Sequence, residues 1–90
     1  MKQRVHLYIS GIVQGVGFRY FLKQTADALG IFGWAKNLAG GRVEVVFEGE
    51  KGAVKQAVNE AWQGPPAGKV REVEVVGEAW QGEKEFAIVR

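Results

Sequence analysis

Residues 4–30 read RVHLYISGIVQGVGFRYFLKQTADALG, and within this stretch the spacing of the apolar residues changes from two to three or four. Up to Ser10, apolar and polar side chains alternate, which predicts a strand with one buried face. From Phe18, apolar residues and one threonine form one helical stripe: Phe18, Phe21, Leu22, Thr25, Ala26 and Leu29. Gly30 suits the left-handed position that ends a helix. The stretch therefore predicts a strand over 4–10, a loop and a helix over 18–29.

The rest of the chain continues with strand and helix patterns of similar length. The predicted elements are strands over 33–37 and 42–48, a helix over 53–62, a strand over 70–76 and a short strand over 86–89. Leu38–Gly41 is expected to form a tight hairpin, because its paired glycines accept positive φ. We expect Val73 and Val75 to point inward and Trp62 to lie on the apolar stripe of the second helix. Trp34 and Trp80 are likewise interpreted as partly buried core residues.

The order strand, helix, strand, strand, helix, strand predicts an α+β fold. Two strand-helix-strand halves with right-handed crossovers form a ferredoxin-like sandwich (βαββαβ), in which a four-stranded antiparallel sheet carries both helices on one face. A chain of 90 residues has the size of one domain, so we expect a single domain over residues 1–90. This architecture hosts unrelated functions, so the function must be argued from a site.

The composition excludes several kinds of chemistry. The chain has no cysteine, which excludes disulfides, thiolate catalysis and cysteine-bound zinc. Its single histidine, His6, lies within the first strand pattern and is expected to be structural. The apolar stretches fall short of the ~20 residues of a membrane span, and the N-terminus does not resemble a signal peptide, so a cytoplasmic location is expected. The net charge of +2 comes from scattered residues, without the basic run of a nucleic-acid arm.

The loop from Gly11 to Arg19 is suited to hold an anion. Gly15 and Gly17 permit backbone angles that turn successive N–H groups inward, as in oxyanion-binding nests. The first turn of the following helix adds unpaired N–H groups and the positive end of the helix dipole. Arg19 adds paired donors that match two phosphate oxygens. The glycines do not match a P-loop or a dinucleotide motif. From these residues alone, a tight turn followed by a solvated Arg19 remains an equal alternative.

The segment Gly11–Phe21 closely resembles the signature of the acylphosphatase family, Gly-x-Val-Gln-Gly-Val-Gly-Phe-Arg followed by an aromatic residue. The resemblance extends along essentially the whole chain, through Gly33–Asn37, Gly41–Val45, Glu48–Gly49, Gly64–Ala67, Val70 and Phe86–Ile88. It implies the ferredoxin-like fold that the periodicities also predict. One departure is Gly40, which stands where similar proteins often carry aspartate. We expect this change to affect rate and stability more than chemistry.

The resemblance also implies a function and a site. The enzyme would hydrolyse acyl phosphates to a carboxylate and inorganic phosphate, without a metal or other cofactor. The phosphate would lie on the loop formed by Gly15, Val16, Gly17, Phe18 and Arg19. Arg19 would hold the phosphoryl oxygens and Asn37 the attacking water, so these two are the expected catalytic residues. Gln14 and Tyr20 are not assigned to the site. The expected partners are small acyl phosphates, with phosphate or other small oxyanions as product or inhibitor, and we expect a free-standing monomer.

Two other functions are alternatives for this sequence. Residues 15–21 superficially resemble the aromatic string of an RNA-binding module with the same element order. Their position before a helix disfavours this interpretation, because that string belongs on a central strand. Glu44, Val46 and Glu48 are also expected opposite the buried face of the third strand, where glutamates would repel RNA. The second alternative is a non-catalytic anion-binding domain, since similar modules occur in larger carbamoyl-transferring maturation proteins. We expect no nucleic-acid and no membrane partner.

Overall fold

The computed structural model describes the whole chain, residues 1–90. It contains β1 (Lys2–Ile12), α1 (Phe18–Leu29), β2 (Phe32–Asn37), β3 (Val43–Glu50), α2 (Lys51–Gln63), β4 (Lys69–Glu78) and β5 (Phe86–Val89). The predicted order of elements is confirmed, and the bounds of α1 and β5 coincide with the predicted ones. Helix α1 ends at Leu29 because Gly30 takes a φ of 66° and donates its N–H to the carbonyl oxygens of Ala26 and Asp27.

The sheet has five strands, in the order β4-β1-β3-β2-β5, where four were predicted. Strands β1 to β4 pair antiparallel as expected. Strand β5 extends the sheet beyond β2 and runs parallel to it, with Gly33 opposite Phe86. The side chain of Phe86 is buried and lies beside Phe47, with ring centroids 5.9 Å apart. The fold is therefore the predicted ferredoxin-like sandwich with one additional parallel edge strand.

Both helices cover one face of the sheet, and a single cluster of 17 buried apolar residues lies beneath them. The helices contribute residues at three- and four-residue spacing: Phe18, Leu22, Ala26, Val54, Ala57 and Ala61. Trp62 is 47% exposed, so its predicted place on the buried stripe is wrong. It lies one residue beyond Ala61, which is about 100° of rotation around the helix. Val73 is buried as predicted, whereas Val75, two residues further along the edge strand β4, is 45% exposed.

The opposite face of β3 is not the open glutamate surface that the sequence predicts. Val46 and Glu48 are fully buried there, and Glu44 is partly buried. The connection between β4 and β5 has to cross the width of the sheet, and part of it covers this face. His6 lies nearby on β1, with its ring nitrogens 2.7 Å and 2.6 Å from the carboxylate oxygens of Glu78 and Glu44.

Glu48 is the centre of a buried ionic cluster. Its carboxylate lies 3.0 Å from the Arg4 guanidinium, which also bonds Glu78 and Glu83. The backbone N–H groups of Gln81 and Glu83 each donate to Glu48 at 2.6 Å. Burial opposes ionisation, but these N–H groups and Arg4 together hold the pKa of Glu48 below its ordinary value. The cluster thereby fixes the crossing segment that leads into β5.

We expect Glu48→Gln to lower the free energy of unfolding by about 2 kcal/mol, the range for losing hydrogen bonds to a charged group. The loss is limited because Arg4 keeps Glu78 and Glu83 as partners. Since the pKa of Glu48 is lowered on folding, its contribution is complete above the ordinary value of 4.5 and is lost as the pH falls through the folded value. Urea unfolding between pH 7 and pH 3 should therefore show a shallower acid loss in the variant.

The matched control is Glu72→Gln, because Glu72 is an exposed glutamate on β4. Its unfolding free energy should stay within about 0.5 kcal/mol of the parent, as is usual for surface changes. Equal stability of the Glu48 variant and this control would contradict the stabilising role of the cluster.

Candidate active site

The loop between β1 and α1 has an exposed backbone at its two glycines and buried side chains on either side of them. Gly15 and Gly17 take φ values of 74° and 78°, in the left-handed region that favours glycine. Val13 and Phe18, on either side of the two glycines, are buried in the core. The N–H groups of residues 15–19 donate to no carbonyl of the chain, and the first helical bond runs from the N–H of Phe21 to Gly17. The loop therefore presents a row of free donors at the positive end of α1.

The same loop lines a pocket of about 180 Å³ at one end of the sheet. The pocket is lined by Val13, Gly15, Gly17, Phe18, Arg19, Tyr20, Asn37 and Ile88. Strands β1 and β2 both run antiparallel to β3, and β5 runs parallel to β2. The C-terminal ends of β1, β2 and β5 therefore lie at the same end of the sheet. This topology brings Asn37, at the end of β2, to the loop that follows β1.

The structure brings together all but one of the predicted site residues. Gly15, Gly17, Phe18, Arg19 and Asn37 line the same pocket. Val16 does not line it, because its side chain packs against the hydrophobic core. Of Val16, the backbone N–H within the loop is the group that remains available to a ligand.

Arg19 is the only charged residue that lines the pocket. Its side chain is half-buried, and Nη1 donates a hydrogen bond to the carbonyl oxygen of Val89 at 3.1 Å. The freely solvated Arg19 of the alternative interpretation is therefore not observed. Since no carboxylate lines the pocket, the guanidinium, the loop N–H groups and the helix dipole all favour a negatively charged ligand.

Gln14 has a contact that the sequence analysis missed. Its Nε2 donates to the carbonyl oxygens of Leu38 and Arg42 at 2.8 Å and 2.9 Å. These carbonyls belong to the hairpin turn that follows Asn37, in which Gly40 and Gly41 take φ values of 98° and 103°. Gln14 thereby ties the glycine loop to the turn beside Asn37. The acceptors are backbone atoms, so residue type gives no signal for this contact.

Tyr20 was also left out of the predicted site, yet it lines the pocket together with Ile88. Both side chains are exposed, Tyr20 to 61% and Ile88 to 39%. Phe18, by contrast, is buried with Phe21 beside it, at a centroid distance of 6.0 Å. Of the aromatic residues in the RNA-binding-like string, Phe18 and Phe21 thus belong to the packing of the core, and Tyr20 is exposed.

The structure also bears on metal binding and on membrane insertion. No group of three or more histidine, aspartate and glutamate side chains is arranged so that it could hold a metal ion. Neither helix combines the length and the apolar character needed to cross a membrane.

Comparison with known proteins identifies relatives over almost the whole chain. The sequence model of the acylphosphatase family matches residues 5–88. An acylphosphatase from Trichormus variabilis is 47% identical over 87 residues, covering 97% of this chain and 86% of the relative. One from Thermococcus kodakarensis is 45% identical over 88 residues, covering 98% of this chain and 97% of the relative.

Solved structures give the same result. The acylphosphatase from Bacillus subtilis is 37% identical, with a TM-score of 0.95 and full coverage of both chains. Full-length HypF, in a phosphate- and nucleotide-bound form, contains a region 31% identical with a TM-score of 0.92, which covers all of this chain but 12% of HypF. Because the family model spans nearly the whole chain and relatives of similar length share nearly half of its residues, the chain belongs to the acylphosphatase family, whose members hydrolyse acyl phosphates.

Proposed function

We propose that the pocket hydrolyses the carboxyl–phosphate bond of acyl phosphates, with the phosphate on residues 15–19 and the attacking water on Asn37. The observation that carries the proposal is the convergence of free loop N–H groups, Arg19 and Asn37 in one pocket. Inorganic phosphate and similar small oxyanions would bind the same donors as product or inhibitor.

The proposed phosphate contacts are those that an oxyanion requires. The N–H groups of residues 15–19 have no backbone acceptor, and the loop lines the pocket at the start of α1, where the helix dipole contributes about half a positive charge. The guanidinium of Arg19 offers a planar pair of donors for two phosphoryl oxygens. In such a site, catalysis comes from positioning and from stabilising the charge that develops on the transferring phosphoryl group.

Asn37 is proposed to hold the water, because its amide both donates and accepts hydrogen bonds. The new bond forms between the water oxygen and phosphorus as the bond from phosphorus to the acyl oxygen breaks, and a carboxylate leaves. No carboxylate or histidine lines the pocket, so we assign the phosphoryl oxygens of the substrate as the acceptors for the proton of the water. A carboxylate is a good leaving group, which makes a strong protein acid unnecessary.

We further propose that residues 1–90 act as one domain, as a monomer and in the cytoplasm. The support for one domain is the single cluster of buried apolar residues that joins both helices to the sheet. A domain that carries its own complete pocket needs no second subunit to form the site.

The direct test is phosphate release from benzoyl phosphate and acetyl phosphate, with and without a chelator such as EDTA. We expect turnover of both compounds, unchanged by the chelator. A phosphate monoester such as p-nitrophenyl phosphate serves as the control and should react far more slowly, because its leaving group is poorer. Rates no higher than spontaneous hydrolysis would contradict the proposed activity, and loss of activity with the chelator would contradict a metal-independent mechanism.

A further inference from the structure

Gln14 belongs to the glycine-rich segment, but the proposed reaction gives its side chain no part. The side chain is half-buried and does not line the pocket, so it is not placed to contact the phosphate. Its Nε2 instead donates to two backbone carbonyls of the turn between β2 and β3, those of Leu38 and Arg42. The side-chain nitrogen of glutamine carries two hydrogens, so these two bonds use its full donor capacity.

The turn between β2 and β3 has few other restraints. Within its backbone, Leu38 donates its N–H to Arg42 at 2.8 Å, and Gly41 donates its N–H to Leu38 at 3.2 Å. Gly40 and Gly41 are exposed and take positive φ, and glycine has more backbone freedom to lose on ordering than any other residue. Gln14 is the one residue whose side chain donates hydrogen bonds to this turn.

The phosphate loop, by contrast, is anchored independently of Gln14. Val13 and Phe18 are buried in the core, and Val16 packs against it. Removal of the Gln14 amide would therefore free the turn more than the loop.

Asn37 is the site residue most directly affected by such a change. It is the last residue of β2, and its pairing with Val43 is the last of the β2–β3 ladder before the turn. No side-chain hydrogen bond within the chain involves its amide. The position of Asn37 relative to the loop therefore depends on how firmly the adjoining turn is held.

We propose that Gln14 is a positioning residue for hydrolysis: by holding the turn, it keeps Asn37 at the distance from the phosphate loop at which a water can attack phosphorus. The inference rests on the proposed function, because it takes Asn37 as the residue that holds the water. Attack requires close alignment of the reacting atoms, and a misplacement of roughly 1 Å can lower a rate about a hundredfold.

The first experiment measures kcat for benzoyl phosphate and competitive inhibition by inorganic phosphate in Gln14→Ala and Gln14→Met. Methionine has a similar length but no donor, so it separates the hydrogen bonds from packing. Both variants should lose about tenfold in kcat, within the range for a misplaced reactant, while the inhibition constant of phosphate changes little. The matched control is Gln56→Met, because Gln56 is an exposed glutamine on α2 outside the pocket. Its kcat should match that of the parent.

The second experiment repeats Gln14→Ala in an Asn37→Ala background. If Gln14 acts through Asn37, its removal should lower kcat there by less than about twofold, because residues that act as a unit are not additive. A merely structural role would give the same loss in both backgrounds. Circular dichroism verifies the fold of each variant, and Gln14 is not a member of the buried apolar cluster that its truncation could disturb.

The outcomes separate this inference from the proposed function. Parental kcat in Gln14→Met, an equal loss in both backgrounds, or a phosphate inhibition weakened as much as kcat would each overturn the positioning role while hydrolysis stands. Failure of the parent to hydrolyse benzoyl phosphate would instead overturn the proposed function.

Discussion

Arg19→Lys is expected to lower kcat for benzoyl phosphate at least a thousandfold, although the positive charge is retained. Loss of one preorganised donor to a developing oxyanion costs roughly 2.7 to 4 kcal/mol, and this change removes a fixed pair of donors. Lysine supplies one rotatable ammonium group, which cannot contact two oxygens in a plane. It also lacks the fork that bonds the Val89 carbonyl and presents its other donors to the pocket at once. Steady-state kinetics on the folded variant measure the effect.

Arg42→Lys makes the same chemical change outside the pocket. The Arg42 guanidinium lies over the ring of Tyr8, 5.0 Å from its centroid, and does not line the site. Turnover of this variant should remain close to that of the parent. If Arg19→Lys kept similar activity, the assignment of Arg19 as the group that holds the phosphoryl oxygens would be wrong.

Asn37→Ala is expected to lower kcat roughly a hundred- to thousandfold, because loss of one oriented dipole destabilises a transition state by that amount. The inhibition constant of inorganic phosphate should change little. The proposal places the phosphate on the loop and the water on Asn37, so the two should separate in kinetics. Measurement of kcat together with competitive inhibition by phosphate tests this separation. The Gly15–Arg19 donors remain in place in the variant, which is why phosphate affinity should persist.

Asn59→Ala provides the control, since Asn59 is an exposed asparagine on α2 that does not line this pocket. Its kcat and phosphate inhibition should both match the parent. Weakened phosphate binding with normal turnover in Asn37→Ala would reverse the division of roles and make Asn37 a phosphate ligand.

The parts of the fold that depend on local signals were predictable from the sequence. Helix α1 begins at Phe18 and ends before Gly30 as predicted, because the change of apolar period and the left-handed glycine are both local features. The position of β5 was not predictable, since a four-residue strand carries no pattern that specifies its partner. Its parallel pairing with β2 depends on the segment that crosses the sheet.

Glu48 shows why a charged residue in an alternating pattern can be misinterpreted. Glu48 follows the core residue Phe47, so alternation places it on the other face of β3 and predicts exposure. The backbone of residues 81–83 covers that side chain, however, and donates its N–H groups to the carboxylate. Those donors are independent of side-chain type, so the sequence gives no indication of them. The same reason applies to Gln14, whose acceptors are the carbonyls of Leu38 and Arg42.

The sequence predicts most residues of the candidate site, but it does not predict how the fold brings them together. Glycine spacing and Arg19 indicated an anion site, but Asn37 entered only through the family resemblance, because an asparagine at the start of a hairpin is an ordinary turn residue. Tyr20 is not needed for the predicted chemistry, so the sequence alone assigns it no role in the site. In the structure Tyr20 lines the pocket together with Ile88, which comes from a distant part of the chain.

The hydrogen bond from Arg19 to the Val89 carbonyl also affects the entropy of ligand binding. A mobile arginine side chain carries about 2 kcal/mol of rotamer entropy, part of which is lost when it is ordered. Here the bond lies within the chain, so that ordering accompanies folding and not the arrival of an anion. Calorimetry of phosphate binding should consequently show a smaller unfavourable entropy than a site whose arginine is held only by its ligand.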